Sequence, residues 1–243
     1  MRWLWPSNGR NPVSGARLMK PAAVGFRVHS GWTALVALTL KEGAPSILAR
    51  ERAQLVRTFT YEYRQPYHTA ARMPAGDRGA FVSRMRAEAR RLAFRTIHRL
   101  KTALAKEGYS LTGSGLLLAS GRPLPELDGI LASHSLIHTA DGELFREAIL
   151  DATVRAGLSC ARIREKDLLD AAARTLGLKS REVSRRIQGL GRPLGPPWSQ
   201  DEKQASLVAW LAAVAPPSAA SSARVATPGG LRPQSPRRLR PGR

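Results

Sequence analysis

The stretch AAVGFRVHSGWTALVALTL, residues 22–40, sets two apolar runs on either side of Ser30-Gly31. Apolar, β-branched and aromatic residues parted by a Ser-Gly pair predict two strands joined by a tight turn. A third segment follows at once. ILARERAQLVRTFTYEY is rich in strand-forming residues and predicts a third strand running to about residue 62. After it the period changes. RQPYHTAARMPAGD is expected to be loop, and then Phe81, Met85, Ala89, Leu92, Ala93, Thr96, Ile97, Leu100 and Leu104 recur at helical spacing up to about Lys106. SLTGSGLLLAS reads as a strand interrupted by glycines, GRPLP as a turn, residues 125–156 as one long helix, and LSCARI as a short strand. EKDLLDAAARTLGLKSREVSRRIQGL predicts two helices broken at Gly177, and GRPLGPPW a rigid loop that buries the Trp198 indole. SQDEKQASLVAWLAAV is a last helix with Ser199 as its N-cap. Three consecutive strands followed by alternating helices and strands predict an α/β fold, a mixed sheet of about five strands with helices packed on it.

A chain of 243 residues can bury a sizeable core. The expected division is a single α/β domain over 21–215 flanked by disordered basic tails. PPSAASSARVATPGGLRPQSPRRLRPGR at 216–243 has almost no large apolar residue. With Cys160 as the sole cysteine, no internal disulfide or cysteine zinc cluster can form. No continuous apolar h-region opens the chain, and runs such as TALVALTL are too short to cross a bilayer, so a cytoplasmic protein with no membrane partner is expected. The formal net charge is +21. Residues 1–20 carry four basic groups and no acid, and 216–243 six arginines and no acid, so +11 remains on 21–215. Such a balance suits nucleic acid, although 32 arginines against 7 lysines also fit a coding bias.

The first hairpin carries a family resemblance. Gly25-Phe26-Arg27-Val28-His29-Ser30-Gly31-Trp32-Thr33-Ala34 resembles the opening of ribonuclease H-like nucleases, where a Gly-x-Asp strand runs into a Gly-Trp-x-Ala strand. DEKQASLVAWLA resembles the last helix of that superfamily, which starts with an acid. The resemblance implies an RNase H-like order of elements over about 21–215. It also implies carboxylates holding two divalent ions across a phosphate. Here the chain departs from the pattern: Arg27 stands where the family has its first-strand aspartate, and a guanidinium repels a metal. His29, two residues on along the same strand face, accepts Mn²⁺ or Zn²⁺ in its place or simply flanks the turn. Asp201 matches the acid of the last helix, as a catalytic carboxylate or as a charge complementing the helix dipole. Glu88 is either a second catalytic carboxylate or an ion-pair partner among the arginines of its helix.

In ILASHSLIHTADGELF, residues 130–145, His134, His138 and Asp141 fall on the helix face that also carries Ile130, Leu131, Phe145, Ala148 and Ile149. Histidines at i and i+4 can grip one metal from a single turn, with Asp141 as third ligand. The alternative is a pair of core histidines bonded to main-chain oxygen. Ser135 occupies the place of the glutamate that a zinc peptidase needs, Glu143 points away, and His68 in the QPYHTAA loop is a candidate to complete the site. His98 reads as surface. A divalent metal (Mn, Zn or Mg) is therefore the expected cofactor, with no organic one: no P-loop or Rossmann glycine loop is present.

Two segments suit nucleic acid. The helix from Arg78 to Lys106 carries nine Lys/Arg, and Arg84, Arg91 and Arg95 are candidate phosphate contacts, with Arg27 for a neighbouring phosphate. Tyr61, Tyr63 and Tyr67 would stack bases if exposed. Ala173, Gly177 and Val183 fall at the spacing of a helix-turn-helix over 167–189, which would offer Lys179, Arg181, Arg185 and Arg186 to a major groove, with Arg174 and Arg192 on the backbone. The sequence thus supports two functions. One is a nucleic-acid-processing protein, a divergent metal-dependent nuclease built on His29, His134, His138, Asp141 and Asp201. The other is a non-catalytic DNA- or protein-binding module. A nuclease site requires these ligands to converge on one ion, each about 2 Å from it. The sequence sets no oligomeric state.

Overall fold

The computed structural model describes residues 18–119 and 123–215. The predicted tail at 216–243 and residues 1–17 of the predicted N-terminal tail lie outside the described residues.

Three antiparallel strands open the chain: β1 (Lys20–His29), β2 (Trp32–Lys41) and β3 (Ala44–Gln54). Gly31 turns the first hairpin with φ +84, a backbone conformation that costs glycine little. β4 (Tyr109–Leu118) lies parallel to β1, and β5 (Ser159–Arg164) parallel to β4. The sheet order is β3-β2-β1-β4-β5. Helices cover both faces, which is why the central strands are buried along most of their length. Ala22, Val24, Phe26 and Val28 of β1 point into a core shared with α3 (Ala75–Lys106) and α5 (His134–Arg155). Gly25, Arg27 and His29 alternate to the other face, under α8 (Gln200–Val214). This is the α/β arrangement that the sequence predicts, a mixed five-stranded sheet with helices packed on it.

The glycines of β1 and β4 fix how close α8 comes. Gly25 and Gly115 are partners across the parallel ladder. A Cβ on Gly25 would lie 1.9 Å from the Ala205 carbonyl oxygen, and one on Gly115 2.5 Å from that of Val208. The helix therefore rests on bare backbone, through Ala205, Val208, Ala209 and Ala212 at i, i+3, i+4 and i+7. Ser199 caps it with a full capping box: its hydroxyl accepts from Glu202 N–H, and the Glu202 carboxylate accepts from Ser199 N–H. Two further helices, α6 (Leu168–Leu176) and α7 (Ser180–Leu190), pack Leu168, Ala172, Val183 and Ile187 onto Leu207, Val208, Trp210 and Leu211 of α8.

Two sequence expectations need correction. The third strand ends at Gln54, not near 62; α1 (Tyr61–Arg64) stands where its end was expected, and α2 (Pro66–Ala70) lies within the expected loop. Pairing stops where Leu55 N–H donates to Gly31 O, closing the hairpin end, and Pro66 opens α2 at its first turn. The strand propensity of Tyr61 and Tyr63 yields to these tertiary contacts. The helix expected over 125–156 is two helices, α4 (Leu127–Leu131) and α5, with Ser133 extended at φ −135, ψ 117 between them. The apolar stripe drawn through Ile130 and Leu131 therefore does not continue into His134.

Candidate functional site

The break before α5 decides where its histidines go. His134 and His138 occupy the first turns of the new helix and are exposed, whereas Asp141 is buried at 1% exposure among Ile137, Ala140, Leu144 and Phe145. Packed against α5, α2 brings His68 over Asp141. His68 Nδ1 donates to Asp141 Oδ2, and Tyr67 N–H donates to Asp141 Oδ1 at 2.7 Å. The buried carboxylate thus has both oxygens satisfied, as it must away from water. Burial pushes its pKa up from the ordinary 3.8, and the hydrogen bonds from His68 and Tyr67 pull it partly back.

With Nδ1 spent on Asp141, His68 presents Nε2. The ligand atoms of His68, His134 and His138 lie within 4.8 Å of one another, and the Nε2 atoms of His134 and His138 are 3.0 Å apart. Three nitrogens about 2.0–2.1 Å from one tetrahedral ion would be about 3.3 Å apart, so small rotamer adjustments separate this arrangement from a chelating one. A carboxylate behind one imidazole is the outer-shell pattern that fixes tautomer and orientation in histidine metal sites. Asp141, expected as a third ligand beside His134 and His138, instead stands behind His68 with both oxygens already bonded, outside the group of three imidazoles. Neutral nitrogen donors suit Zn²⁺ or Mn²⁺ and suit Mg²⁺ poorly.

The remaining candidates do not join this triad. His29 and Asp201 lie on the α8 face of the sheet, the triad on the α3/α5 face, so the five predicted ligands cannot serve one ion. His29 Nε2 donates to Asp201 Oδ1 at 2.9 Å, and its ring stacks on Trp32 with centroids 4.4 Å apart. Arg27 is held by Glu165 (2.9 Å) and by Gln204 Oε1 (2.9 Å). A divalent ion does not fit there, because a guanidinium already sits between the acids. The same partners correct the expectation that Arg27 is available for a phosphate. Glu88 accepts from Arg57 N–H at 2.8 Å and pairs with the Arg57 guanidinium, which ties the segment after β3 to α3, the ion-pair alternative of the sequence reading with Arg57 as the partner.

Of the nucleic-acid candidates, Arg84, Arg91 and Arg95 are exposed along α3, and among the described residues none of the three has an acidic partner. Arg185 and Arg186 are instead bound to Glu182, at 2.6 and 2.7 Å, while Lys179 and Arg181 are exposed. Gly177 ends α6 in the left-handed conformation at φ +64, and Val183 is buried, as the helix-turn-helix spacing anticipates. Both helices nonetheless spend their apolar faces on α8. Tyr67 is buried with its hydroxyl accepting from Arg86 at 3.0 Å and cannot stack a base; Tyr61 is 51% exposed. Trp198 Nε1 donates to Ile187 O at 3.0 Å, so the indole closes the loop it was expected to plug.

Sequence reading missed Glu165 and Gln204. Gln204 stands three residues after Asp201 on the same helix face, a signal that could have found it. Nothing local marks Glu165, which lies just after β5.

No family model matches the sequence, and no curated protein matches it. Among solved structures the chain is similar to T. thermophilus RuvC in complex with a Holliday junction substrate, with 14% identity over 79% of this chain and 92% of that one and a TM-score of 0.44. A second structure, Thermus thermophilus RuvC, matches at 14% identity over 79% and 93% with the same TM-score of 0.44. Among the described residues no helix is long and apolar enough to cross a membrane.

Proposed function

We propose that this chain is a nucleic-acid-processing protein whose divalent-metal centre is the His68–His134–His138 triad. The convergence of three imidazole nitrogens within 4.8 Å carries the reading. The exposure of His134 and His138 leaves the solvent side open to a substrate group, as catalytic zinc sites require. An ion there supplies Lewis acidity toward a phosphoryl oxygen. The chain's own residues do the rest. His68 is held in one tautomer by Asp141, His134 and His138 are brought together by one turn of α5, and Arg84, Arg91 and Arg95 offer guanidinium groups to phosphates along about 16 Å of α3. The test is cleavage of single- and double-stranded DNA and RNA by the full chain with Zn²⁺ or Mn²⁺. Activity that His138→Ala abolishes is expected; activity equal in the two chains overturns the metal-dependent nuclease.

The exposed Arg181 on a helix that follows a left-handed glycine turn favours a second reading, a non-catalytic binding module working through 167–189. Under it Arg181→Ala weakens DNA binding and Arg91→Ala does not.

A further inference from the structure

The α8 face of the sheet holds a second polar cluster, separate from the triad. Arg27 lies on β1 two residues before His29, the last residue of the strand. Its Nη2 lies 2.9 Å from Glu165 Oε2, its Nε donates to Gln204 Oε1 at 2.9 Å, and its Nε is 3.9 Å from Asp201 Oδ1. The surrounding groups are bonded to each other as well. Gln204 Nε2 donates to Glu165 Oε1 at 3.0 Å, and His29 Nε2 donates to Asp201 Oδ1 at 2.9 Å. The His29 ring is fixed by its stack on Trp32, whose other side is covered by the Arg52 guanidinium 3.9 Å from the ring centroid. Two carboxylates and an amide oxygen, from the β5–α6 junction and α8, thus face one positive charge, and the His29 imidazole on β1 holds one of those carboxylates.

We infer that the Arg27 guanidinium is a built-in cation: it occupies the centre of an acidic cluster and closes it to divalent metal. Its side chain is 20% exposed, so the cluster is open to water and ions reach its rim. Two negative charges this close repel unless a cation lies between them, and the low-dielectric floor of the sheet strengthens that need. The guanidinium meets it with forked, directed donors that a spherical ion lacks. Without it, the three oxygens that face the guanidinium, from Glu165, Asp201 and Gln204, are left with two negative charges and no cation, a hard donor set that suits Mn²⁺. The consequence for the protein is that this end of the sheet is locked without a metal, and with it the start of α6, which follows Glu165.

The inference does not depend on the triad, and its test removes the triad from view. In the full chain carrying His134→Ala and His138→Ala, Mn²⁺ alone is titrated and followed by the loss of its free-ion paramagnetic resonance signal. With Arg27 present, no binding at millimolar Mn²⁺ is expected. Arg27→Ala, and Arg27→Gln as a more conservative variant, are expected to gain affinity for one Mn²⁺ by at least about tenfold, a gain that Asp201→Asn removes. A variant that loses its fold is expected to regain it, by circular dichroism, on addition of Mn²⁺. Equal Mn²⁺ affinity with and without Arg27, binding by the Arg27-containing chain that Asp201→Asn abolishes, or a variant that Mn²⁺ leaves unfolded each overturns the inference.

Discussion

His68 donates through Nδ1 to the buried carboxylate of Asp141, and Tyr67 N–H binds the other oxygen of the same group. One residue from α2 thereby gains its orientation from α5, the helix that supplies both other imidazoles. A pH dependence follows. Burial raises the Asp141 pKa above its ordinary 3.8, so in the metal-free chain the folded state holds this proton more tightly than the unfolded state does. Stability from this group is present below the unfolded pKa and falls as pH rises through the folded one. In thermal melts with chelator, the difference between Asp141→Asn and the parent is expected to shift in favour of the variant from pH 4 to pH 7. A difference independent of pH across that window contradicts the assignment.

The same carboxylate acts in the opposite sense once metal is bound, because the anion supports His68 as a ligand. Asp141→Asn is expected to weaken Zn²⁺ affinity by about 10–100-fold, read by competition with a chromophoric chelator. An unchanged affinity would mean that His68 is oriented without Asp141.

Docking of α8 through bare backbone makes Gly25 the most sensitive position of β1. Gly25→Ala drives a Cβ into a main-chain oxygen that no rotamer change can move, and is expected to cost about 3 kcal/mol or more in denaturant unfolding. Gly189→Ala in α7 meets nothing within 4 Å and is expected to raise stability by up to about 1 kcal/mol. The two alanines therefore move the midpoint in opposite directions.

The arginine face of α3 predicts a salt dependence. If Arg84, Arg91 and Arg95 each neutralise a phosphate, their joint replacement by alanine lowers the slope of log Kd against log salt by about 2–3 for duplex DNA. The tails are unchanged in that comparison. A slope that stays the same assigns the electrostatic binding to other parts of the chain.

Much of this architecture was legible in the sequence because it rests on periodicity. The Ser30-Gly31 hairpin, the helical repeat from Phe81 to Leu104, the break at Gly177 and the Ser199 cap are local signals, and each produced its element. The errors were tertiary in origin. Tyr61 and Tyr63 look like strand residues, but the hairpin end closes at Leu55 and Pro66 starts a helix. The stripe through His134 looked continuous because Ser133 carries no Gly or Pro to mark a break. The glycines of TGSG marked an irregular strand, yet only the register that pairs Gly115 with Gly25 explains them. Of the candidate site, His134 and His138 were visible as an i, i+4 pair and His68 as a loop histidine. The separation of His29 and Asp201 from them was not visible, since it depends on which face of the sheet each element covers.

The most direct measurement is the zinc content of the full chain after loading and exhaustive dialysis, beside His134→Ala/His138→Ala treated in the same way. About one zinc ion retained per chain, and its loss in the double variant, is expected. A parent chain that retains none, or a double variant that retains as much as the parent, contradicts the triad as a metal centre.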